Sequence, residues 1–265
     1  MSVSSYPVLM YHKVGCPVQC ERDNFLNISA RSFRRQMQVM ARLGYRARPF
    51  SEIVQAIASN ETLPPRTFAI TFDDGYRCVG ETAAPILKEF GFVATVFIVS
   101  DCVGTTNQWD RALGHPEVPL LSWDELRHLA RAGWEMAGHT RAHRHLGALD
   151  DEAALREIAE GKRETEAQIG QTLQTFCYPF GHFNERTASL VRSAGFQGAC
   201  TTQSGLARAG GDPFLLPRVK VTREGVSNLL FRLLIRSRLR KNAPENAPTN
   251  RNGSLRANGK AREPI

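Results

Sequence analysis

Two carboxylates stand side by side in Thr71-Phe72-Asp73-Asp74-Gly75-Tyr76, and two histidines stand four apart in His139-Thr140-Arg141-Ala142-His143. One carboxylate oxygen with two imidazole nitrogens is a ligand set for Zn²⁺ and its first-row neighbours. Three protein ligands leave coordination positions open, which suits a catalytic site more than a structural one. The second carboxylate then lies beside the cation, where a metal hydrolase needs a general base. Each piece alone is weak. Asp-Asp-Gly is a common turn sequence, His145 offers a second partner for the histidine pair, and Tyr178-Pro179-Phe180-Gly181 alone is only a turn signal. Their force lies in their order and in the strand-like segment that precedes each.

Strand and helix signals alternate along the chain. Pro7–His12, Phe68–Phe72, Val93–Val99, Trp134–Ala137, Thr175–Tyr178 and Gln197–Thr201 read as strands. Ser32–Leu43 and Glu81–Phe90 show helical spacing and stop at Gly44 and Gly91. Ser122 and Glu125 form a capping-box pattern that opens a helix ending at Gly133. Asp150 is placed to cap a helix over 152–169, and Glu185–Ala194 is a further helix. Repeated βα units predict a mostly parallel sheet with crossover helices. His12, Asp73, Asp74, His139 and Tyr178 to Phe180 all fall at the C-terminal ends of strands, where an α/β barrel keeps its active site. Adjacent strand residues point to opposite faces, but at a strand end turning into Gly75 both Asp73 and Asp74 can enter one cavity.

The chain has 265 residues, 42% hydrophobic and 23% charged, which suits a globular protein of one large or two small domains. No apolar run is long enough for a transmembrane helix. The segment from Met1 to Met10 carries no basic region and no long apolar stretch, so a cytoplasmic location is expected. The six cysteines are scattered and are expected to be plain thiols, with a Cys16–Cys20 disulfide as the alternative. The net charge of +8 sits at one end. From Arg218 onward there are twelve Lys/Arg against three Asp/Glu, and before it 22 against 23. A neutral body of this kind argues against nucleic acid as a partner.

The whole set of motifs resembles the polysaccharide deacetylases of carbohydrate esterase family 4, the NodB-homology proteins. Leu9-Met-Tyr-His12, Thr71 to Tyr76, Ala94-Thr-Val-Phe97, Gly138 to His143, Tyr178 to Gly181 and Leu216-Pro-Arg218 carry the likeness. The opening Met-Tyr-His and the Tyr-Pro-Phe-Gly form look most like the exopolysaccharide N-deacetylase branch. The resemblance implies a distorted (β/α) barrel with about seven parallel strands. The domain is expected over 1–241, and the composition after Lys241, rich in Asn, Pro, Gly and Arg with few large apolar residues, reads as a basic disordered tail over 242–265. It implies hydrolysis of the N-acetyl group of an N-acetylglucosamine-containing polysaccharide or its precursor. The cofactor would be a divalent metal, most often Zn²⁺, with Co²⁺, Ni²⁺ or Mn²⁺ as alternatives. By motif match, Asp74, His139 and His143 would hold it, Asp73 would be the base, and the Phe180 backbone N–H would meet the oxyanion. Alternative readings are a deacetylase or deformylase of a lipid- or nucleotide-linked sugar, and a catalytically silent carbohydrate-binding member of the fold.

Two departures follow from the comparison of motifs. The family often opens its third motif with an arginine that orients the base, and here Cys177 stands in that place; Arg218 is expected to supply the guanidinium instead. The usual Leu-x-x-His motif has no counterpart, since His182 is the last histidine. His12 and His182 are the side-chain candidates to protonate the leaving amine. Tyr76, Tyr178 and Trp109 are the aromatic candidates for sugar contact, with core packing the usual fate of such rings. Val226 to Lys241 places Arg232, Arg236 and Arg240 in one helical stripe beside a wide apolar arc. One reading is a last helix packed on the barrel. The other is a helix lying on an anionic membrane surface, strengthened by the basic tail.

Overall fold

Seven short runs of mostly buried residues form the strands of one closed sheet: β1 (Val8–Tyr11), β2 (Thr67–Phe72), β3 (Thr95–Ile98), β4 (Glu135–Gly138), β5 (Thr175–Cys177), β6 (Gly198–Ser204) and β7 (Leu216–Lys220). The computed structural model describes residues 4–17, 26–114 and 116–221. Each strand pairs in parallel with the next, and β7 returns to pair with β1. Closure leaves these seven strands without a free edge, the condition for a barrel. The pairing of β6 with β7 contains a register shift between Cys200 and Ser204.

Strand alternation sorts the buried side chains into two clusters. Leu9, Tyr11, Ile70, Phe72, Val96, Met136, Phe176 and Val219 pack outward under the helices. Val8, Ala69, Phe97, Ala137, Cys177, Cys200 and Leu216 pack on the other face. That second face is the lumen, because side chains from non-adjacent strands meet there: Arg218 of β7 touches both Thr71 of β2 and Cys177 of β5.

The helices are α1 (Ala30–Arg42), α2 (Phe50–Ala58), α3 (Ala84–Glu89), α4 (Trp123–Arg131), α5 (Asp151–Ile169) and α6 (Glu185–Ser193). Their caps follow local sequence. Ser122 and Glu125 close a capping box at α4, Asp150 accepts from Ala153 at α5, and Gly170 ends α5 at φ 73°. The helix expected from Glu81 starts instead as a π turn over Val79–Ala83, with Pro85 at the first turn of α3. Proline lacks the N–H that a regular α turn would use there.

Two elements go beyond the sequence expectation. Helix α2 has no side-chain cap of its own; Glu135 of β4 reaches across to accept its Ser51 N–H. Its Phe50, Ile53, Val54 and Ile57 are buried, and they belong to the lumen-side cluster. Strand β7 contains Pro217, which disguises it as a loop. Among the described residues, no helix is long and apolar enough to cross a membrane. Cys78, Cys102, Cys177 and Cys200 are free and buried, and Cys16 is buried as well. Cys20, the 226–241 segment and the 242–265 tail lie outside the described residues.

Candidate active site

The strand ends turn sharply to gather the polar groups. Asp74 and Gly75 both take left-handed backbone, each at φ 72°. This turn carries the Asp74 carboxylate into the same cavity as that of Asp73. Thr140, His143 and Phe180 are also left-handed, at φ 66°, 55° and 58°. Left-handed backbone is unfavourable for residues with a Cβ, and its clustering on these loops marks where the fold stores strain. Gly181 follows Phe180 because a Cβ there would meet Thr202 Oγ1 at 1.9 Å.

Asp74, His139 and His143 are all buried, and one ligand atom from each lies within 4.8 Å of the others. Nε2 of His139 is 3.3 Å from Asp74 Oδ1, and Nε2 of His143 is 3.4 Å from the same oxygen. The tautomer of His139 is set by its other nitrogen. Nδ1 lies 2.7 Å from the Cys177 carbonyl, which can only accept, so Nδ1 carries the proton. In its neutral form, the one that can bind a metal, His139 turns a bare nitrogen toward a carboxylate. Burial disfavours the charged form of His143, lowering its pKa to about 3. Lone pairs converging on a carboxylate oxygen repel unless a cation sits among them, so the donor set fits a divalent metal. The same pull for positive charge acts on His139: burial opposes its protonation, yet its contacts with Cys177 and Asp74 raise its pKa well above the usual imidazole value.

The second carboxylate has a different environment. Arg218 grips Asp73 with two parallel hydrogen bonds, Nη1 to Oδ1 at 2.6 Å and Nη2 to Oδ2 at 2.7 Å. It also donates to Thr71 Oγ1 and to the Thr201 carbonyl, so its guanidinium is well satisfied although only 1% of the residue is exposed. Burial alone would raise the pKa of Asp73; the charge and hydrogen bonds of Arg218, with His12 and His139, outweigh it and hold the carboxyl below its usual range. The Cys177 Sγ lies 3.2 Å from Arg218 Nη2, so the residue in the arginine position of the third motif borders the guanidinium that serves Asp73. His12 Nε2 stands 3.6 Å from Asp73 Oδ2. Burial lowers its pKa despite the nearby carboxylates.

The aromatic candidates separate. Phe180 is 44% exposed and packs edge-to-face with His143. Tyr76 and Tyr178 are fully buried. Lys13 Nζ sits 4.9 Å over the Tyr76 ring, and the Tyr178 hydroxyl donates to the Phe214 carbonyl. Both rings are core, and sugar contact through them is dropped on that ground. Trp109 is partly buried and stacks on His143. His182 does not meet Asp73; its Nδ1 contacts His145 Nε2 near Phe180. Two supports are not legible from the motifs. Glu157 of α5 accepts the Ala142 N–H, and Gly161 lets α5 approach so closely that a Cβ would meet Arg141 N at 2.9 Å. A glycine inside a long helical run was the available signal.

Comparison with known proteins bears on the fold and the family. The family model described as polysaccharide deacetylase matches residues 60–199. The Bacillus subtilis (strain 168) protein YxkH, named as a candidate polysaccharide deacetylase, is 26% identical over 231 residues, covering 87% of this chain and 76% of YxkH. A poly-β-1,6-N-acetyl-D-glucosamine N-deacetylase of Staphylococcus aureus (strain MRSA252) is 22% identical over 178 residues, and the alignment spans 64% of this chain and 59% of that relative. Among solved structures, the Streptococcus pyogenes deacetylase PplD in complex with acetate superposes with a TM-score of 0.75 at 23% identity, covering 86% of this chain and 98% of PplD. IcaB from Ammonifex degensii gives 0.72 at 24% identity, covering 85% and 95%. These two likenesses establish the fold.

The ion pair in the lumen yields a stability prediction. Removing one member of a buried, hydrogen-bonded pair leaves an uncompensated charge and costs about 3–5 kcal/mol. Arg218→Ala is expected to lose that much in urea unfolding. Asp73→Asn combined with Arg218→Ala is expected to lose less than the two single losses added, because neither charge is then stranded.

Proposed function

The chain belongs to the polysaccharide deacetylase family, whose model covers more than half of it, and from that membership we propose that it hydrolyses N-acetyl groups from an N-acetylglucosamine-containing polysaccharide. The observation that carries the reading is the convergence of Asp74, His139 and His143 in one buried group, with the separately held Asp73 next to it in sequence. The Staphylococcus aureus relative, named for poly-β-1,6-N-acetyl-D-glucosamine, supports that class of substrate.

Asp74, His139 and His143 would hold a divalent metal, for which Zn²⁺ is our assignment on the nitrogen and carboxylate donors. When bound, such a cation polarises an amide carbonyl and makes a nearby water more acidic. The rest is done by side chains of this protein. Arg218 fixes both oxygens of Asp73 and keeps the carboxylate ionised, so that it is ready to accept a proton from the attacking water. The strong grip also weakens Asp73 as a base, while burial works in the opposite direction. His12 Nε2, within 3.6 Å of Asp73 Oδ2, is placed to pass a proton toward the leaving amine. The backbone N–H of Phe180, presented by its left-handed turn, is assigned to the developing oxyanion.

Acetate release from N-acetylglucosamine oligomers tests this reading. Metal-stripped protein is expected to be inactive and to recover with Zn²⁺ or Co²⁺. Asp73→Asn is expected to lose activity by about 10²–10⁴-fold, the range for removing a general base. No acetate from any oligomer, with metal bound stoichiometrically, contradicts a polymer substrate and favours a lipid-linked sugar or a silent binding protein.

The basic end carries a second proposal, contact between residues 226–241 and an anionic membrane surface at the cytoplasmic face, resting on the sequence spacing of Arg232, Arg236 and Arg240, which a helix would bring into one stripe beside apolar residues. The full chain is expected to float with anionic liposomes and a chain ending at Thr222 to stay behind. Equal flotation of both contradicts it.

A further inference from the structure

The two histidines of the metal group are held in different ways. A metal-binding histidine usually donates its second ring N–H to a carboxylate, a carbonyl or water, which fixes the ring and raises its basicity. His139 does so through the Cys177 carbonyl. His143 does not: its Nδ1 is buried and has no hydrogen-bond partner among the described residues. Its backbone amide is anchored to Thr140 Oγ1 at 3.0 Å, but that bond leaves the ring free to turn.

Aromatic faces take the place of the missing hydrogen bond. Trp109 stacks on the His143 ring with centroids 4.5 Å apart and planes 29° apart. Phe180 meets the same ring edge-to-face, with centroids 4.5 Å and planes 68° apart. Of these two, Phe180 is 44% exposed, whereas Trp109 is packed against the core. The segment that carries Trp109 is itself tied down. Asn107 is 1% exposed; its side chain donates to Asp110 Oδ2 and to the Pro116 carbonyl, and its backbone N–H donates to the Val118 carbonyl. This is the build of a fixed support.

We propose that Trp109 is a positioning residue whose indole face, in place of a hydrogen bond to Nδ1, sets the His143 ring for the metal shared with Asp74 and His139. The proposal rests on the metal-site reading above. It also moves Trp109 away from sugar contact on that face, since His143 occupies it.

The test is Co²⁺ titration of metal-stripped, full-length protein in competition with a chromogenic chelator. Trp109→Ala is expected to bind Co²⁺ about 10–100-fold more weakly, the usual loss when a supporting partner of a ligand is removed. Its visible Co²⁺ band is expected to shift, and Trp109→Phe, which keeps a stacking ring, is expected to restore both toward wild type. Thermal melting of the metal-free forms checks folding. A folded Trp109→Ala with wild-type affinity and band overturns the proposal. Wild-type protein that takes up no Co²⁺ overturns the metal site itself, and this inference with it. If Trp109→Ala does not fold, tryptophan emission decides in the wild type and the Phe variant. The chain has three tryptophans. Saturable Co²⁺ quenching is expected to fall sharply in Trp109→Phe, and quenching of unchanged amplitude overturns the stacked geometry.

Discussion

A guanidinium buried in the lumen of the barrel is the constraint on which the site depends. Arg218 cannot shed its charge at any working pH, so the lumen must offer acceptors at fixed positions around it. It does so from two strands and one strand end: Thr71, the Thr201 carbonyl and both oxygens of Asp73. These groups are not neighbours in the sheet, so satisfying one cation also ties opposite walls of the barrel together. It also explains Cys177. A second arginine there would crowd a like charge against Arg218, whereas a thiol 3.2 Å away is small. Burial pushes its pKa far above the usual thiol value, so it adds no charge of its own.

From this pair the two adjacent aspartates acquire separate environments. Asp73 faces a permanent cation and Asp74 faces two imidazoles, although one peptide bond separates them. Left-handed backbone at Asp74 and Gly75 makes that separation possible. The histidine loop is similarly contorted, and α5 holds it from outside. Glu157 meets the Ala142 N–H, Glu160 pairs with Arg141, and Gly161 removes the side chain that would push the loop away. Rigid packing of this kind is what keeps strained residues in place.

Much of this was legible in the sequence, because the informative residues sit in short motifs at the ends of strands. The mostly parallel sheet and the meeting of a carboxylate with a histidine pair follow from local patterns and their order, whereas the closed barrel and the choice of Asp74, His139 and His143 came with the family resemblance. Arg218 was legible only as a partner for Asp73 by motif; the fork geometry joins positions 145 residues apart and belongs to the fold. The aromatics were read poorly, because adjacency to a motif does not say which way a ring points: Tyr76 and Tyr178 turn into the core. Helix α2 was hidden by its start at Pro49 without a side-chain cap, since its capping carboxylate comes from Glu135 on another element. Strand β7 was hidden by Pro217, whose missing donor is tolerated beside the shifted register of β6.

The central claim is that neighbouring carboxylates divide the work, one holding the metal and the other serving as base. Zinc content of purified Asp73→Asn and Asp74→Asn, measured side by side against wild type, tests it most directly. The account predicts that Asp73→Asn keeps the zinc of the wild-type chain while Asp74→Asn loses it. Zinc lost from Asp73→Asn and kept by Asp74→Asn would contradict it.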